Sequence, residues 1–171
     1  MGIDVVETCW ACGVRHPSGE NHPCSNRTLG LSEGEVFELM LDGNAPENQP
    51  LAMVAADGYD PRYWKHNGPK VEGRQTRKFK LVSVDLCWNI DEVRRKLAAH
   101  GEIPEGQWRQ AYKVAYNIQS RKGPIGIAVA DPSWTTPSGF RCFPYITSFG
   151  ASRFWAADNE FQVHWRWLVS I

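Results

Sequence analysis

The residues best suited to chemistry are three cysteines and two histidines in the stretch CWACGVRHPSGENHPC, which runs from position 9 to position 24. Cys9 and Cys12 are separated by two residues, and a tight turn at that spacing lets both thiolates reach one metal ion. A tetrahedral zinc ion needs two further ligands, which Cys24 and either His16 or His22 would supply. The spacing therefore predicts a structural zinc site.

The same stretch resembles the small zinc knuckles, in which CxxCG is followed by a histidine and a further cysteine. The matching positions are Cys9, Cys12, Gly13, His16 and Cys24. Because the interval from His16 to Cys24 is long for a knuckle, His22 stays open as the fourth ligand. The resemblance implies a bound metal and no particular activity. A redox pair or disulfide, an unremarkable loop and a catalytic zinc are the alternatives, and the surrounding prolines and glycines argue against the helix of a redox CxxC.

The composition is that of a globular protein without a general preference for polyanions. The 171 residues carry a formal net charge of zero. The five cysteines are an odd number, whereas a secreted disulfide framework pairs evenly, so we expect a cytoplasmic protein. We expect no signal peptide and no membrane span, because no basic start precedes an apolar run and no stretch reaches ~18 apolar residues.

The apolar periodicity predicts an α+β fold, with a zinc-knuckle-like segment at 1–30 and a single α+β domain at 31–171. Helices are predicted at 31–43, 89–101 and 101–116. Strands are predicted at 51–58, 76–88, 125–131, 140–147 and 161–171. We expect a largely antiparallel sheet formed mainly by the C-terminal third and packed with about three helices. Pro144 is expected on an edge strand.

A basic segment follows an acidic one in the first half of the chain. Every charged residue from 31 to 60 is acidic, whereas 62–80 holds seven Lys and Arg residues and one acid, Glu72. Interleaved aromatic residues make this segment suited to single-stranded nucleic acid, and an acidic protein could use the same surface. The predicted contact residues are Arg62, Tyr63, Trp64, Lys65, Lys70, Arg74, Arg77 and Lys78. The alternative is a solvated loop neutralised by the acidic segment.

The sequence contains no nucleophile elbow, phosphate-binding loop or dinucleotide fingerprint. Asp131 ends a predicted strand just before Pro132, a place where catalytic carboxylates occur. A small hydrolase that uses Asp131 and a histidine is therefore the alternative function, and catalysis is the less favoured hypothesis. Cys87 and Cys142 lie in predicted strands, and we expect both to be small buried hydrophobic residues.

Three segments resemble, in general texture, small bacteriophage accessory proteins. They are GEIPEGQWRQAY at 101–112, GPIGIAVADPSW at 123–134 and the Trp-rich terminus. The resemblance implies an intracellular protein that binds a host or phage macromolecule. We therefore expect a binding protein with a structural zinc ion, whose partner is another protein or single-stranded nucleic acid.

Overall fold

The computed structural model describes residues 6–8, 15–17, 34–116 and 126–171. In the first two ranges, strands β1 (Val6–Thr8) and β2 (Arg15–Pro17) pair in an antiparallel ribbon. The other two ranges hold one larger sheet and the helices that cover it. Within the described ranges, no helix is long and apolar enough to cross a membrane.

The larger sheet has eight strands. They are β3 (Phe37–Asp42), β4 (Lys65–His66), β5 (Arg74–Val82), β6 (Gly126–Ala128), β7 (Trp134–Thr135), β8 (Arg141–Thr147), β9 (Ser152–Ala156) and β10 (Trp165–Ser170). Their order is β3-β5-β10-β6-β8-β7-β4, with β9 paired to β8. The β10–β6 pair is parallel and the other described pairs are antiparallel. The α+β prediction is confirmed, although β3, β4 and β5 come from the first half of the chain.

The helices lie on both faces of the sheet. They are α1 (Pro50–Ala56), α2 (Ile90–Leu97) and α3 (Trp108–Ala115). Trp108 of α3 shares a buried cluster with Leu39 of β3, on one face. Val93 of α2 shares a second cluster with Trp167 of β10, on the other face. α1 contributes to a third cluster at the β7–β8–β9 end.

The predicted helix at 31–43 is wrong, because its second half forms strand β3. Phe37, Leu39 and Leu41 are buried, while Glu38 and Met40 between them are exposed. This alternation has the period of a strand, and it is satisfied only because β5 supplies a pairing partner with Phe79 opposite Phe37. The apolar pattern of this segment fits both a helical and a strand period, and pairing with β5 selects the strand.

The predicted strand at 51–58 is also wrong, because this segment forms helix α1. Pro50 occupies the first turn, where its missing N–H costs no intrahelical hydrogen bond. The Asp57-Gly58 pair, which suggested the end of a strand, instead ends the helix. Gly58 has a φ of 92°, the left-handed conformation that favours glycine after a helix.

Several local predictions are confirmed. Asn89 caps α2, and its side-chain oxygen accepts a hydrogen bond from the Glu92 N–H at 2.9 Å. Cys87 and Cys142 are both buried, and burial raises the pKa of the Cys142 thiol to about 11. In β10 the predicted alternation is present, but Leu168 on the second face is buried as well, because β10 lies inside the sheet between β5 and β6.

The edge position predicted for Pro144 is wrong, since β8 has strands on both sides. The Pro144 carbonyl accepts the Val129 N–H at 3.2 Å. A strand residue directs its N–H and its carbonyl to the same side, so the missing N–H of Pro144 faces β6 and β7. There it falls between the last β6 pair, at Tyr145, and the first β7 pair, at Cys142. Proline is tolerated because the ladder changes partner at this position.

A buried ion pair joins α1, α3 and β9. Arg109 Nη1 lies 2.6 Å from Asp57 Oδ2, and Arg109 Nη2 lies 3.1 Å from Asp57 Oδ1. The two side chains are only 1% and 3% exposed. Arg109 also donates to the Arg153 carbonyl at 3.0 Å and lies 5.2 Å from the centre of the Phe154 ring. One guanidinium thus holds three elements that are far apart in the sequence.

Asp57→Asn should destabilise the fold strongly, because it leaves the Arg109 charge buried without a counter-charge. Breaking one partner of a buried pair costs about 3–5 kcal/mol in the free energy of unfolding. Urea denaturation monitored by tryptophan fluorescence measures this loss. Asp60→Asn is the matched control, because its pair with Arg62 is exposed and should contribute little. Equal denaturation midpoints for the two variants would refute a structural role for the buried pair.

Candidate functional site

A polar cleft of about 510 Å³ lies between α2, the segment that leads into α3, and strand β7. The charged and hydroxyl side chains that line it are Asp91, Arg94, Glu105, Asp131, Ser133, Thr135 and Arg141. Small-molecule sites usually measure roughly 300–1,000 Å³ and contain a few converging polar groups, so this cleft has the size and lining of a ligand site.

Asp131 is the most buried charged group of the cleft, with 5% of its surface exposed. Its Oδ2 accepts the Gly106 N–H at 2.8 Å, and its Oδ1 accepts the hydroxyl of Ser133. Gly106 is required here, because a Cβ at this position would lie 2.4 Å from the Trp134 ring. A Cβ on Gly68 would likewise lie 1.9 Å from Ser133 Oγ. The carboxylate is therefore held in one orientation by close-packed backbone.

The two arginines of the cleft differ in their partners. Arg141 bridges Asp91 at 3.1 Å and Asp158 at 3.0 Å, and its hydrogen bonds lower the pKa of the Asp91 carboxyl. Arg94 donates to the Ala130 carbonyl and forms no ion pair within 4.0 Å with any described carboxylate. Arg94 is thus a cleft cation whose positive charge lacks a direct counter-ion in the described chain.

His66 is close enough to Asp131 for their charges to interact, but it does not share the cleft. It pairs with Trp134 across the β4–β7 ladder, and the two ring centroids are 4.5 Å apart. Successive side chains of a strand point to opposite faces, so His66 and Ser133 lie on opposite sides. Among the described residues, no histidine lines the cleft beside Asp131, so the histidine of the hydrolase alternative is not found there.

His66 instead lines a smaller cavity of about 220 Å³, together with residues of α1 and the loop after β4. The other lining residues are Gln49, Pro50, Leu51 and Lys70. Both ring nitrogens of His66 are buried and make no hydrogen bond. Burial lowers the pKa of the imidazole, Asp131 opposes that shift, and the positive charge of Lys70 adds to it.

The predicted macromolecule contacts divide between two places in the sheet. Arg62, Tyr63, Lys65 and Lys70 lie on or beside β4, which ends the strand order. Arg74, Arg77 and Lys78 lie on β5, next to the opposite edge strand β3. Between them the chain passes from one edge strand to the neighbour of the other, so one run of basic residues in the sequence is divided between β4 and β5, which do not pair with each other.

Trp64 is a core residue rather than an exposed stacking surface. Only 8% of it is exposed, and its ring lies 5.2 Å from Tyr59 and 5.5 Å from Phe154. The aromatic residue of this segment that reaches solvent is Tyr63, which is 68% exposed. The prediction that Trp64 offers an open face to a partner is corrected by this burial.

Three of the predicted contact arginines have carboxylate partners. Their ion pairs are Arg62 with Asp60 at 2.6 Å, Arg74 with Asp42 at 3.7 Å, and Arg77 with Glu105 at 3.2 Å. Asp60 and Asp42 belong to the acidic segment, so part of the basic charge is neutralised within the chain, as the alternative interpretation expected. Lys65, Lys70 and Lys78 are exposed.

The group at β4 forms a surface that we call the basic edge, made of Arg62, Tyr63, Lys65 and Lys70. Asp60 caps the short 3₁₀ helix Pro61–Tyr63 by accepting the Arg62 N–H at 3.1 Å. This turn places the Arg62 guanidinium 5.9 Å from the centre of the Tyr63 ring. Because the next residue, Trp64, is buried in the core, the Tyr63 side chain is exposed beside Arg62.

The predicted zinc ligands cannot be placed in this geometry. Cys9, Cys12, His22, Cys24 and the side chain of His16 lie outside the described residues. Within the described part of the chain, no group of three or more His, Cys, Asp and Glu side chains is arranged to hold a metal ion. The cleft is therefore not a metal centre of the described residues.

Sequence reasoning missed most of the cleft. It singled out Asp131, but it assigned no role to Arg94, Ser133 or Gly106. The Asp-Pro-Ser sequence after a strand is a local signal for Ser133. No local signal exists for Arg94, which lies 36 residues before the carbonyl that it binds.

No protein-family model, curated protein or solved structure matches this chain at a significant level. Its function must therefore be inferred from its own residues.

His66, which is half-buried and has both ring nitrogens buried, should make stability depend on pH. The folded chain holds its pKa below the ordinary 6.5, so unfolding takes up a proton once the pH falls towards that value. The free energy of unfolding should therefore decrease as the pH falls from about 7 through 6.5 to the lowered pKa. Thermal unfolding across this range should show a shallower pH dependence for His66→Gln than for the wild type.

His164→Gln provides the control for this measurement, because His164 is exposed. Its pH profile should follow the wild type. If His66→Gln and the wild type lose stability in parallel between neutral and mildly acidic pH, burial of His66 does not set the pH dependence.

Proposed function

We propose that this protein binds single-stranded nucleic acid through the basic edge, and that it acts by occluding or scaffolding that strand. The observation that carries the proposal is an exposed tyrosine ring 5.9 Å from the Arg62 guanidinium, on a segment that also carries the exposed Lys65 and Lys70. Single-strand binding combines cations that follow the phosphates with aromatic faces that stack on bases.

The charge of the basic edge supports this choice. Arg62 pairs with Asp60, whereas Lys65 and Lys70 form no ion pair with a described carboxylate, so the surface has positive charge to spare although the whole chain has no net charge. Lysine side chains are mobile point charges that suit phosphates along a flexible strand. The net charge of zero limits non-specific attraction and concentrates the interaction on this edge.

The rigidity of the basic edge also supports the proposal. Trp64 anchors the segment in the core, so Tyr63 is presented from a fixed backbone rather than from a free loop. Lys65 is held in the β4–β7 ladder opposite Thr135. A preorganised stacking residue loses little conformational entropy when a base binds.

Fluorescence anisotropy with a labelled oligo(dT) tests the proposal. The wild type should bind with an affinity that falls as salt rises, because phosphate contacts release counterions. Replacing both Lys65 and Lys70 with Ala should flatten the plot of log affinity against log salt by about 1.4, or about 0.7 for each lost phosphate contact. Tyr63→Ala should weaken binding without changing that slope.

Lys78→Ala is the matched control, because it removes an exposed lysine from the other group, on β5. It should leave the affinity and the salt dependence nearly unchanged. Equal effects of Lys78→Ala and Lys70→Ala would place the contact elsewhere. If oligo(dT) does not bind at low salt but an acidic protein binds the same surface, the partner is a protein and not nucleic acid.

We also propose that a structural zinc ion is held by Cys9, Cys12, Cys24 and one of His16 and His22. The support is the spacing of these residues in the sequence, where CxxC places two thiolates on one turn. In this role the ion would stabilise a segment rich in glycine and proline, and it would take no part in chemistry.

Elemental analysis of the purified protein should find about one zinc per chain, as expected for one tetrahedral site. Cys9→Ser and Cys24→Ser should each lose the metal and lower the melting temperature. Cys142→Ala is the control, since it removes a buried free thiol that is not among the proposed ligands and should retain the zinc. Metal-free wild-type protein with a Cys9–Cys12 disulfide would contradict the zinc site.

A further inference from the structure

The cleft holds two opposite charges whose hydrogen bonds go to neutral groups, and Arg94 also interacts through space with the Asp91 carboxylate on the same helix. Asp131 is held by a backbone N–H and a hydroxyl, and Arg94 is held by a backbone carbonyl. The Arg94 guanidinium binds the carbonyl of Ala130, the residue just before Asp131, yet the two side chains form no ion pair within 4.0 Å. Each charge thus keeps the capacity to bind an ionic group of a ligand placed between them.

The rest of the cleft has a surplus of negative charge. Its lining contains three carboxylates and two guanidiniums. Glu105 is satisfied by Arg77 at 3.2 Å and by the Trp108 indole N–H at 3.2 Å. Arg141, by contrast, serves two carboxylates at once, Asp91 and Asp158, so one of these has negative charge to spare.

We propose that the cleft binds a small zwitterion of the α-amino-acid type, with a preference for one that has a basic side chain. The ligand carboxylate binds Arg94, its ammonium binds Asp131, and its side-chain cation reaches Asp91 and Asp158. Charge-assisted hydrogen bonds of this kind are about twice as strong as neutral ones. This site shares no residue with the basic edge, although Lys65 of that edge lies opposite Thr135 of the cleft lining, and it does not depend on binding of nucleic acid.

The construction of the cleft supports a preorganised site. Gly68 packs against Ser133, and Gly106 packs against Trp134, so the backbone around Asp131 cannot relax towards the carboxylate. Asp131 is oriented before any ligand arrives, and the volume of about 510 Å³ leaves room for a basic amino acid. Preorganised polar groups lower the cost of binding.

A ligand series measured by isothermal titration calorimetry at low salt tests the inference without altering the protein. L-arginine and L-lysine should bind more tightly than L-alanine, and L-glutamate should bind most weakly. Agmatine lacks the carboxylate of arginine, and N-acetyl-L-arginine lacks its ammonium. Each should bind about 10- to 100-fold more weakly than L-arginine, since a hydrogen bond to a charged group is lost.

Two variants assign the contacts. Arg94→Gln should weaken L-arginine binding by about tenfold or more and leave the affinity for agmatine nearly unchanged. Asp131→Asn, which retains an acceptor for Gly106, should weaken L-arginine but spare N-acetyl-L-arginine. Arg95→Gln is the matched control, because it removes the same charge from the same helix at a position whose side chain is 73% exposed.

The inference is overturned if the wild type binds no member of the amino-acid series at millimolar concentrations. It is equally overturned if agmatine and N-acetyl-L-arginine bind as tightly as L-arginine, or if Arg95→Gln weakens binding as much as Arg94→Gln. Because the ligand series uses unmodified protein, a variant that fails to fold does not remove the test. Oligo(dT) binding reports separately on the basic edge, so the two proposals succeed or fail independently.

Discussion

The Arg109–Asp57 ion pair is the contact on which the arrangement of the helices depends. It fixes the end of α1 against α3, and through the Arg153 carbonyl it fixes both to β9. Two further hydrogen-bonded contacts hold the same region together. Pro50, at the start of α1, accepts the Trp134 indole N–H at 2.9 Å. Gln107, just before α3, joins Asn48 to Val71 through its amide. A charge that is costly to bury is thus stabilised where four segments meet.

The β4–β7 pair separates the cleft from the smaller cavity beside α1. Ser133 faces the cleft, whereas His66 and Trp134 face the α1 side, because neighbouring strand residues alternate. Trp134 connects the two, since its ring packs against Gly106 and the Gly106 N–H binds Asp131. A change in the packing around α1 would therefore reach the cleft through one tryptophan. The residues around the Arg109–Asp57 ion pair and those that orient Asp131 therefore pack together.

A chain with zero net charge can still present two surfaces of opposite sign. Ion pairs between the acidic and basic segments, such as Arg74 with Asp42, remove part of the charge by pairing strands β5 and β3. What remains is uneven, with cations at the β4 edge and two carboxylates that share Arg141 on β8, two strands away. The first suits phosphates and the second suits cationic groups, so the two sites favour ligands of different chemistry. The formal net charge of the chain alone would have indicated neither of these two sites.

Features that depend on neighbours within about one helical turn could be predicted from the sequence alone. These include the Asn89 cap of α2, the alternation of Trp165, Trp167 and Val169 and the burial of both described cysteines. The remaining features depend on long-range contacts in the folded chain. Residues 37–42 became a strand because β5 pairs with them, and the basic run is divided between β4 and β5, which do not pair with each other. Arg94 reaches the Ala130 carbonyl beside Asp131 only through folding. The physical reason is that caps and side-chain periods are local, whereas strand pairing, ion pairs and clefts bring together residues whose separation leaves no pattern in the chain.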